Sequence, residues 1–75
     1  MAERVAVLGA GQMGNGIAHV FAQSGFDVTM IDISADALEK GKGTIASNLD
    51  RQIKKGSLPA TDKDAILGRI RTARA

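Results

Sequence analysis

The chain has 75 residues, a formal net charge of +2 and no cysteine. This length allows one small domain at most. Chains below roughly 70–80 residues rarely build a self-sufficient core without disulfides, a metal or a partner. The lack of cysteine excludes disulfides and thiolate metal sites, and the single histidine makes a zinc site implausible. Because no apolar run approaches the roughly 20 residues that span a bilayer, and the N-terminus lacks a signal-peptide pattern, we expect a cytoplasmic protein without a membrane anchor.

The charge is distributed unevenly along the chain. Residues 1–37 carry one base and four acids (net −3), whereas residues 38–75 carry nine bases and four acids (net +5). A basic half can bind nucleic acid. Tyrosine and tryptophan are absent, and both phenylalanines lie in the apolar first half, so no aromatic stacking platform accompanies the charge. The composition therefore favours a small phosphorylated ligand over nucleic acid.

The first predicted element is an apolar strand that runs into a glycine cluster. Val5–Leu8 contains no polar residue, as expected for a strand that is buried on both faces of a parallel sheet. Gly9, Gly11 and Gly14 follow with the G-x-G-x-x-G spacing. In that motif the first glycine allows a tight turn, and the second lets a pyrophosphate approach the backbone. The third lets the following helix pack closely on the strand.

A helical pattern begins directly after the glycines. The free N–H groups at Gln12 and Met13 offer an anion site at the helix N-terminus without any charged side chain. Gly25 is a usual residue for ending such a helix. The spacing predicts an apolar face of Met13, Ile17, Val20 and Phe21, and a polar face of Gln12, Asn15, His19 and Gln23.

A second strand is predicted over residues 26–31, and Asp32 follows it, eighteen residues after Gly14 (32 − 14). A dinucleotide-binding βαβ unit places there the carboxylate that binds the adenosine ribose. The alternative role for Asp32 is to cap the next helix, but the order of strand, glycines, helix, strand and acid favours ribose binding. Asp32 would repel a 2′-phosphate, and Ile33 and Ser34 offer no arginine to receive one, so the pattern predicts NAD rather than NADP.

A helical hairpin is predicted over residues 34–68. Ser34 is a good N-cap for its first helix, Gly56 is a good terminator, and Thr61 is the predicted N-cap of its second helix. Gly41 and Gly43 each disfavour the first helix by about 1 kcal/mol relative to alanine, so this helix is expected to depend on docking. The apolar stripe comprises Leu38, Ile45, Leu49 and Ile53 with Gly41, and the polar stripe comprises Thr44, Asn48, Arg51 and Lys55.

Residues 69–72 are typical of the approach to a third strand. A complete dinucleotide-binding half is βαβαβ, and the predicted elements fall short of one. The predicted fold class is therefore α/β: a partial Rossmann (βαβ) dinucleotide-binding unit with a helical hairpin after strand two and an incomplete sheet. Residues 1–75 are expected to form the N-terminal part of an NAD-binding domain.

Three segments together resemble the N-terminal part of the 3-hydroxyacyl-CoA dehydrogenases: Val5–Gly25, Val28–Ser34 and Ile45–Leu58. The resemblance covers nearly the whole chain. The pattern that follows Gly11 and the Lys-Lys-Gly end of the hairpin helix are considerably more specific than three glycines alone.

The resemblance implies an NAD-dependent oxidoreductase of fatty acid metabolism that reversibly oxidises 3-hydroxyacyl-CoA to 3-oxoacyl-CoA. In that family the first domain binds NAD, the hairpin clasps CoA, and a histidine–glutamate pair oxidises the 3-hydroxyl group. Carried over by position, the resemblance places the pyrophosphate on Gly9, Ala10, Gly11, Gln12, Met13 and Gly14, the ribose on Asp32, and CoA on Asn48 and Lys55.

The same resemblance places the catalytic pair and the helical dimerisation domain beyond Ala75. His19 is not the family's catalytic histidine, because it lies on the first helix. We therefore expect the chain to be inactive alone and a full-length form to be a homo-oligomer that takes an acyl-CoA substrate. Without the resemblance, Asn48 and Lys55 are interpreted as a solvated helix face with a C-terminal cation.

Two other functions stay open at this point. One is another nucleotide-dependent oxidoreductase, such as a relative of the hydroxyisobutyrate or 6-phosphogluconate dehydrogenases, or a flavin enzyme. The Lys-Lys-Gly hairpin argues against it, because those families pass from strand two to strand three by a shorter route. The other is a non-catalytic nucleotide-binding or assembly module that gains activity or stability from a second chain.

Overall fold

Three strands are connected through three helices in a computed structural model that describes residues 3–75, without the side chain of Gln12. The elements are β1 (Arg4–Leu8), α1 (Gln12–Gln23), β2 (Asp27–Asp32), α2 (Ala35–Lys54), α3 (Asp62–Gly68) and β3 (Ile70–Arg74). The predicted α/β fold class is confirmed, with a helical hairpin after the second strand and a sheet that stays open.

The three strands form one parallel sheet with β2 in the centre, in the order β1-β2-β3. Val5 pairs with Val28 and Val28 pairs with Ile70, so these side chains share one face of the sheet. The approach to a third strand predicted over residues 69–72 overlaps β3. Both crossovers run through helices, as parallel pairing requires.

The hydrophobic core lies between one face of the sheet and the helices. Val7, Val28, Met30 and Ile70 supply the sheet side, and Leu38, Ile45, Leu49 and Ile66 are the larger helical contributions. The prediction that the first strand is buried on both faces is wrong for this chain. Ala6 is exposed and the side chain of Leu8 is 82% exposed, because within the described residues the helices cover one face only.

Helix α1 turns a different face inward from the one that its periodicity predicts. Met13 is 81% exposed and Val20 is 64% exposed, whereas Ala18 and Ala22 are fully buried. Asn15 and His19, which belong to the predicted polar face, are each only 8% exposed. Close packing of a helix on a sheet favours small side chains on the contact face, and this constraint outweighs the preference for burying large apolar ones.

The hairpin helices follow the sequence prediction more closely. The Ser34 hydroxyl oxygen accepts a hydrogen bond from the Ala37 N–H at 3.1 Å and caps α2, and Gly56 follows the helix with a φ of +78°. The predicted stripe is buried at Leu38, Gly41, Ile45 and Leu49. Thr61 occupies the N-cap position of α3, but its side chain makes no capping hydrogen bond.

Two glycines allow unusually close contacts with the glycine-rich turn. A Cβ atom on Gly14 would lie 2.0 Å from the Gly9 carbonyl oxygen, and one on Gly41 would lie 2.9 Å from the Ala10 carbonyl oxygen. The first contact docks α1 on the end of β1. The second docks α2 on the turn itself, which gives a packing reason for a glycine that weakens the helix.

None of the helices among residues 3–75 has the length and apolar character needed to cross a membrane.

We expect Gly14→Ala to destabilise the fold by at least ~2 kcal/mol, because its methyl group would overlap the Gly9 carbonyl and force the helix and the turn apart. The measurement is the free energy of unfolding from urea titration followed by circular dichroism. Gly16→Ala is the matched control, since that exposed position in the same helix has no atom within 4 Å of an added Cβ. Helix propensity predicts that the control stabilises the fold by about 0.5–1 kcal/mol. Equal effects of the two substitutions would contradict this packing account.

Candidate functional site

The glycine-rich turn presents free backbone N–H groups at the carboxyl end of β1. Gly9 has a φ of +92°, and its N–H donates to the Ile31 carbonyl oxygen at 2.7 Å. The first N–H of α1 with a helical partner is that of Asn15, which donates to the Gly11 carbonyl oxygen at 2.8 Å. The N–H groups of the first helical turn before Asn15 are therefore available to an anion.

The backbone of Gly11 is open to a ligand. A Cβ atom placed on Gly11 would have no heavy atom of the protein within 4 Å, so packing within the chain does not require a glycine here. A side chain would instead occupy the space directly in front of the turn. This is the space through which a phosphate group reaches the N–H groups, so the turn fits a dinucleotide diphosphate.

Asp32 ties the end of β2 to the glycine-rich turn. One carboxylate oxygen, Oδ2, accepts a hydrogen bond from the Ala10 N–H at 2.9 Å, and the other, Oδ1, accepts one from the Ser34 N–H at 2.9 Å. Ser34, not Asp32, caps α2, and the bond from the Ser34 N–H to Asp32 closes the turn that precedes this helix. Room remains for ribose binding, because an ionised carboxylate has about four acceptor positions and the backbone N–H groups near it use at most three.

The backbone N–H groups of Ser34, Ala10 and Ile33 lower the pKa of the Asp32 carboxyl below its ordinary value of 3.8, and partial desolvation opposes this only in part. The carboxylate is consequently charged at every pH at which the protein would meet a nucleotide. A charged acceptor at this position suits a pair of ribose hydroxyl groups and disfavours a ribose 2′-phosphate.

A cavity of about 440 Å³ adjoins the glycine-rich turn on its helix side. Its walls come from the turn, from the first turns of α1 and from one face of α2. The lining residues are Ala10, Gly11, Asn15, Ala37, Lys40, Gly41 and Thr44. A larger, mainly apolar cavity of about 610 Å³ lies between α2 and β3, and neither the glycine-rich turn nor Asp32 lines it.

Asn48 and Lys55 lie further along the same helix and do not line the cavity beside the turn. Asn48 is partly buried, and Lys55 is exposed at the C-cap of α2, where its N–H donates to the Arg51 carbonyl oxygen at 3.0 Å. They share a stripe with Thr44, which does line the cavity. The structure therefore places these two residues on a continuation of the cavity's α2 wall, about two turns apart.

His19 lies apart from the glycine-rich turn. Its Nε2 atom is 2.8 Å from the Gln23 amide oxygen, one helical turn along α1. The residue is partnered and buried against the core. Among residues 3–75, no cluster of three or more histidine, cysteine, aspartate or glutamate side chains could hold a metal ion.

Comparison with known sequences decides the family. Residues 4–75 match the family described as "3-hydroxyacyl-CoA dehydrogenase, NAD binding domain". The chain belongs to this family. The resemblance seen in the sequence is thereby confirmed, and so is the prediction of NAD as the cofactor, because the matched domain is described as NAD-binding.

Relatives of the dehydrogenase family agree in sequence and in fold. The 3-hydroxybutyryl-CoA dehydrogenase of Bradyrhizobium diazoefficiens is 53% identical over 68 residues, which cover 91% of this chain and 23% of that protein. The crystal structure of (S)-3-hydroxybutyryl-CoA dehydrogenase from Ralstonia eutropha superposes with a TM-score of 0.94 at 47% identity, over 100% of this chain and 26% of that one. The crystal structure of 3-hydroxybutyryl-CoA dehydrogenase from Escherichia coli superposes with a TM-score of 0.91 at 37% identity, over 97% of this chain and 16% of that one. The chain thus spans about a quarter or less of the length of these relatives.

Sequence reasoning missed two residues beside the turn in this dehydrogenase-family chain. Asn15 belongs to the predicted polar face, but the structure buries it in the cavity wall. Lys40 was not singled out, although it stands four residues before Thr44 and extends the polar stripe by one turn. The spacing of Lys40 was a usable signal, whereas nothing in the pattern indicated that Asn15 faces inward.

We expect the Asp32 carboxyl to titrate below 3.8, its ordinary value, because three backbone N–H groups favour its charged form. Its folded pKa lies below its unfolded pKa, so the stability that it contributes is present above the unfolded value and is lost as the pH falls through the folded value. The measurement is the carboxyl carbon chemical shift of Asp32 in the folded protein as a function of pH. A midpoint at or above 3.8 would contradict the hydrogen bonding described here.

Proposed function

We propose that this chain is the NAD-binding part of a 3-hydroxyacyl-CoA dehydrogenase, in which the whole enzyme reversibly oxidises a 3-hydroxyacyl-CoA to a 3-oxoacyl-CoA. Gly9, Gly11, Gly14 and the first N–H groups of α1 would hold the diphosphate of NAD, with Ala10, Gln12 and Met13 in the same turn. Asp32 would bind the adenosine ribose. When bound, NAD supplies the acceptor for the hydride.

The observation that carries this proposal is the juxtaposition of the Asp32 carboxylate with the glycine-rich turn. The 2.9 Å hydrogen bond from the Ala10 N–H to Asp32 fixes the acid directly beside the N–H groups that suit a diphosphate. A ribose joined to that diphosphate would then lie within reach of the remaining acceptor positions. The N–H groups of the turn and the Asp32 carboxylate, at one edge of the sheet, therefore match the diphosphate and the adjoining ribose of one ligand.

The substrate side of the proposal rests on the polar stripe of α2. Asn48 and Lys55 would contact the CoA part of the substrate, since their side chains lie two turns apart on one helix face. Lys55 is exposed and no ion pair within the described residues engages it, so its ammonium group is available to a phosphate. An exposed contact of this kind contributes about 1 kcal/mol, which is enough to affect affinity but not the fold.

Oxidation of the 3-hydroxyl group needs a general base within hydrogen-bond reach. His19 does not fit that role, because it is buried, bonded to Gln23 and remote from the turn. The proposal accordingly assigns cofactor and CoA binding to these residues and no proton transfer. It places the assembled enzyme in the cytoplasm as a homo-oligomer.

A first experiment tests the cofactor site. Asp32→Ala should weaken NAD binding by about ten-fold or more, since the loss of charged hydrogen bonds to a ribose costs about 1.5–3 kcal/mol. NADP should be affected less, because the same change removes the repulsion of its 2′-phosphate. The measurement is a calorimetric or NMR titration of the 75-residue chain with each nucleotide. Asp36→Ala is the control, since it removes the same charge from an exposed position nearby. Equal binding of NAD and NADP by the unaltered chain would refute the assignment.

A second experiment tests the CoA contact. Lys55→Ala should raise the dissociation constant for CoA several-fold at low salt and leave that for NAD unchanged, and the difference should fade as salt is added. Lys54→Ala is the matched control, because it removes the same charge one residue away, on a different face of α2. If both variants bind CoA as tightly as the unaltered chain does, Lys55 does not contact CoA, and its role is that of a cation that stabilises the helix end.

A further inference from the structure

The cavity beside the glycine-rich turn contains polar groups that the proposed cofactor contacts do not use. Gly11 lines it from one side, Asn15 lines it from the first turns of α1, and Lys40 lines it from α2. The space is about 440 Å³ and opens in front of the backbone that suits a diphosphate. Any anion held by the turn would therefore also face Asn15 and Lys40.

Asn15 is the first observation that points to a ligand. The residue is only 8% exposed, and it lines the cavity. Its backbone N–H is used in the helix, and none of the side-chain hydrogen bonds among the described groups of residues 3–75 involves its amide. An amide that lines a cavity beside an anion site, and that other groups of the chain do not engage, is placed to donate to a ligand.

Lys40 is the second observation, and it is independent of the first. It lies on the face of α2 that approaches the turn, where the missing Cβ of Gly41 lets the helix come close to the Ala10 carbonyl. Lys42, two residues further on, lines the other cavity between α2 and β3. Neither lysine is engaged in an ion pair within the described part of the chain. The helix thus directs one free cation toward the turn and one away from it.

We propose that Lys40 and Asn15 bind the diphosphate of the dinucleotide together with the backbone N–H groups of the turn. This inference rests on the proposed function, because it takes the ligand at Gly11 to be NAD. An ammonium on a flexible stem suits a partly solvated phosphate, and the Asn15 amide supplies a fixed neutral donor. The two side chains compensate for a turn that carries no charged residue of its own.

The test compares Lys40→Gln with Lys42→Gln by NMR titration of the 75-residue chain at low salt. Lys40→Gln should raise the dissociation constants for NAD and ADP-ribose about five-fold and leave that for adenosine, which lacks phosphate, unchanged. Lys42→Gln should change none of them. The inference is overturned if the two variants behave alike, if adenosine binding falls equally, or if only CoA binding is weakened.

Asn15→Asp provides a second and sharper variant. The change is nearly isosteric, and a negative charge near the start of α1 favours the helix dipole, which opposes the cost of burying a carboxylate. Circular dichroism checks that the variant is folded before it is titrated. An anion in the cavity would be repelled, and binding of ADP-ribose should weaken more than in Lys40→Gln. Unchanged ADP-ribose binding by a folded Asn15→Asp variant would overturn the inference.

The proposed function and the roles of Lys40 and Asn15 are contradicted by different results. If the unaltered chain binds no NAD, the proposed function is contradicted and this inference with it. If NAD binding requires Asp32 but is indifferent to Lys40 and Asn15, the proposed function stands and the inference alone is wrong.

Discussion

The close approach of α1 to the end of β1 is the constraint on which the rest of the structure depends. A Cβ at Gly14 would lie 2.0 Å from the Gly9 carbonyl oxygen, so the helix can begin where it does only without a side chain there. That contact aims the N-terminus of α1 at the open space before Gly11. The lack of a side chain at Gly41 likewise lets α2 approach the Ala10 carbonyl, which brings the polar stripe of α2 close to the turn. The absence of a side chain at these two glycines thus allows both helices to pack closely on the turn, around one site.

The sheet brings Asp32 to this site by topology alone. Because β1 and β2 are parallel neighbours with Leu8 paired to Ile31, the residues that follow both strands emerge at one edge. The glycine-rich turn follows the first strand and Asp32 ends the second. Their separation along the chain is therefore large although their atoms are in hydrogen-bond contact. This is the usual way in which an open α/β sheet assembles a nucleotide site.

The sequence was sufficient for the order of elements and for the meeting of Asp32 with the glycine-rich turn, since the glycine spacing, Asp32 and the stripe of α2 are local patterns with strong physical causes. The inward face of α1 could not be read in the same way. Periodicity ranks faces by hydrophobicity, whereas contact with the sheet selects the small residues Ala18 and Ala22. That choice rotates the helix, exposes Met13 and buries Asn15 and His19. The burial of the first strand was overestimated because a strand's composition does not reveal which neighbours cover it.

The hydrogen bonds of Asp32 have a consequence for the thermodynamics of recognition. The carboxylate holds the Ala10 and Ser34 N–H groups through hydrogen bonds within the chain, so the protein itself ties the turn to the strand end. A ligand that arrives there meets groups in their final positions and does not have to order a mobile loop. The conformational entropy of the turn has been lost in folding instead. Association at this turn should therefore resemble docking to a rigid surface, with affinity differences expressed mainly in the rate of dissociation.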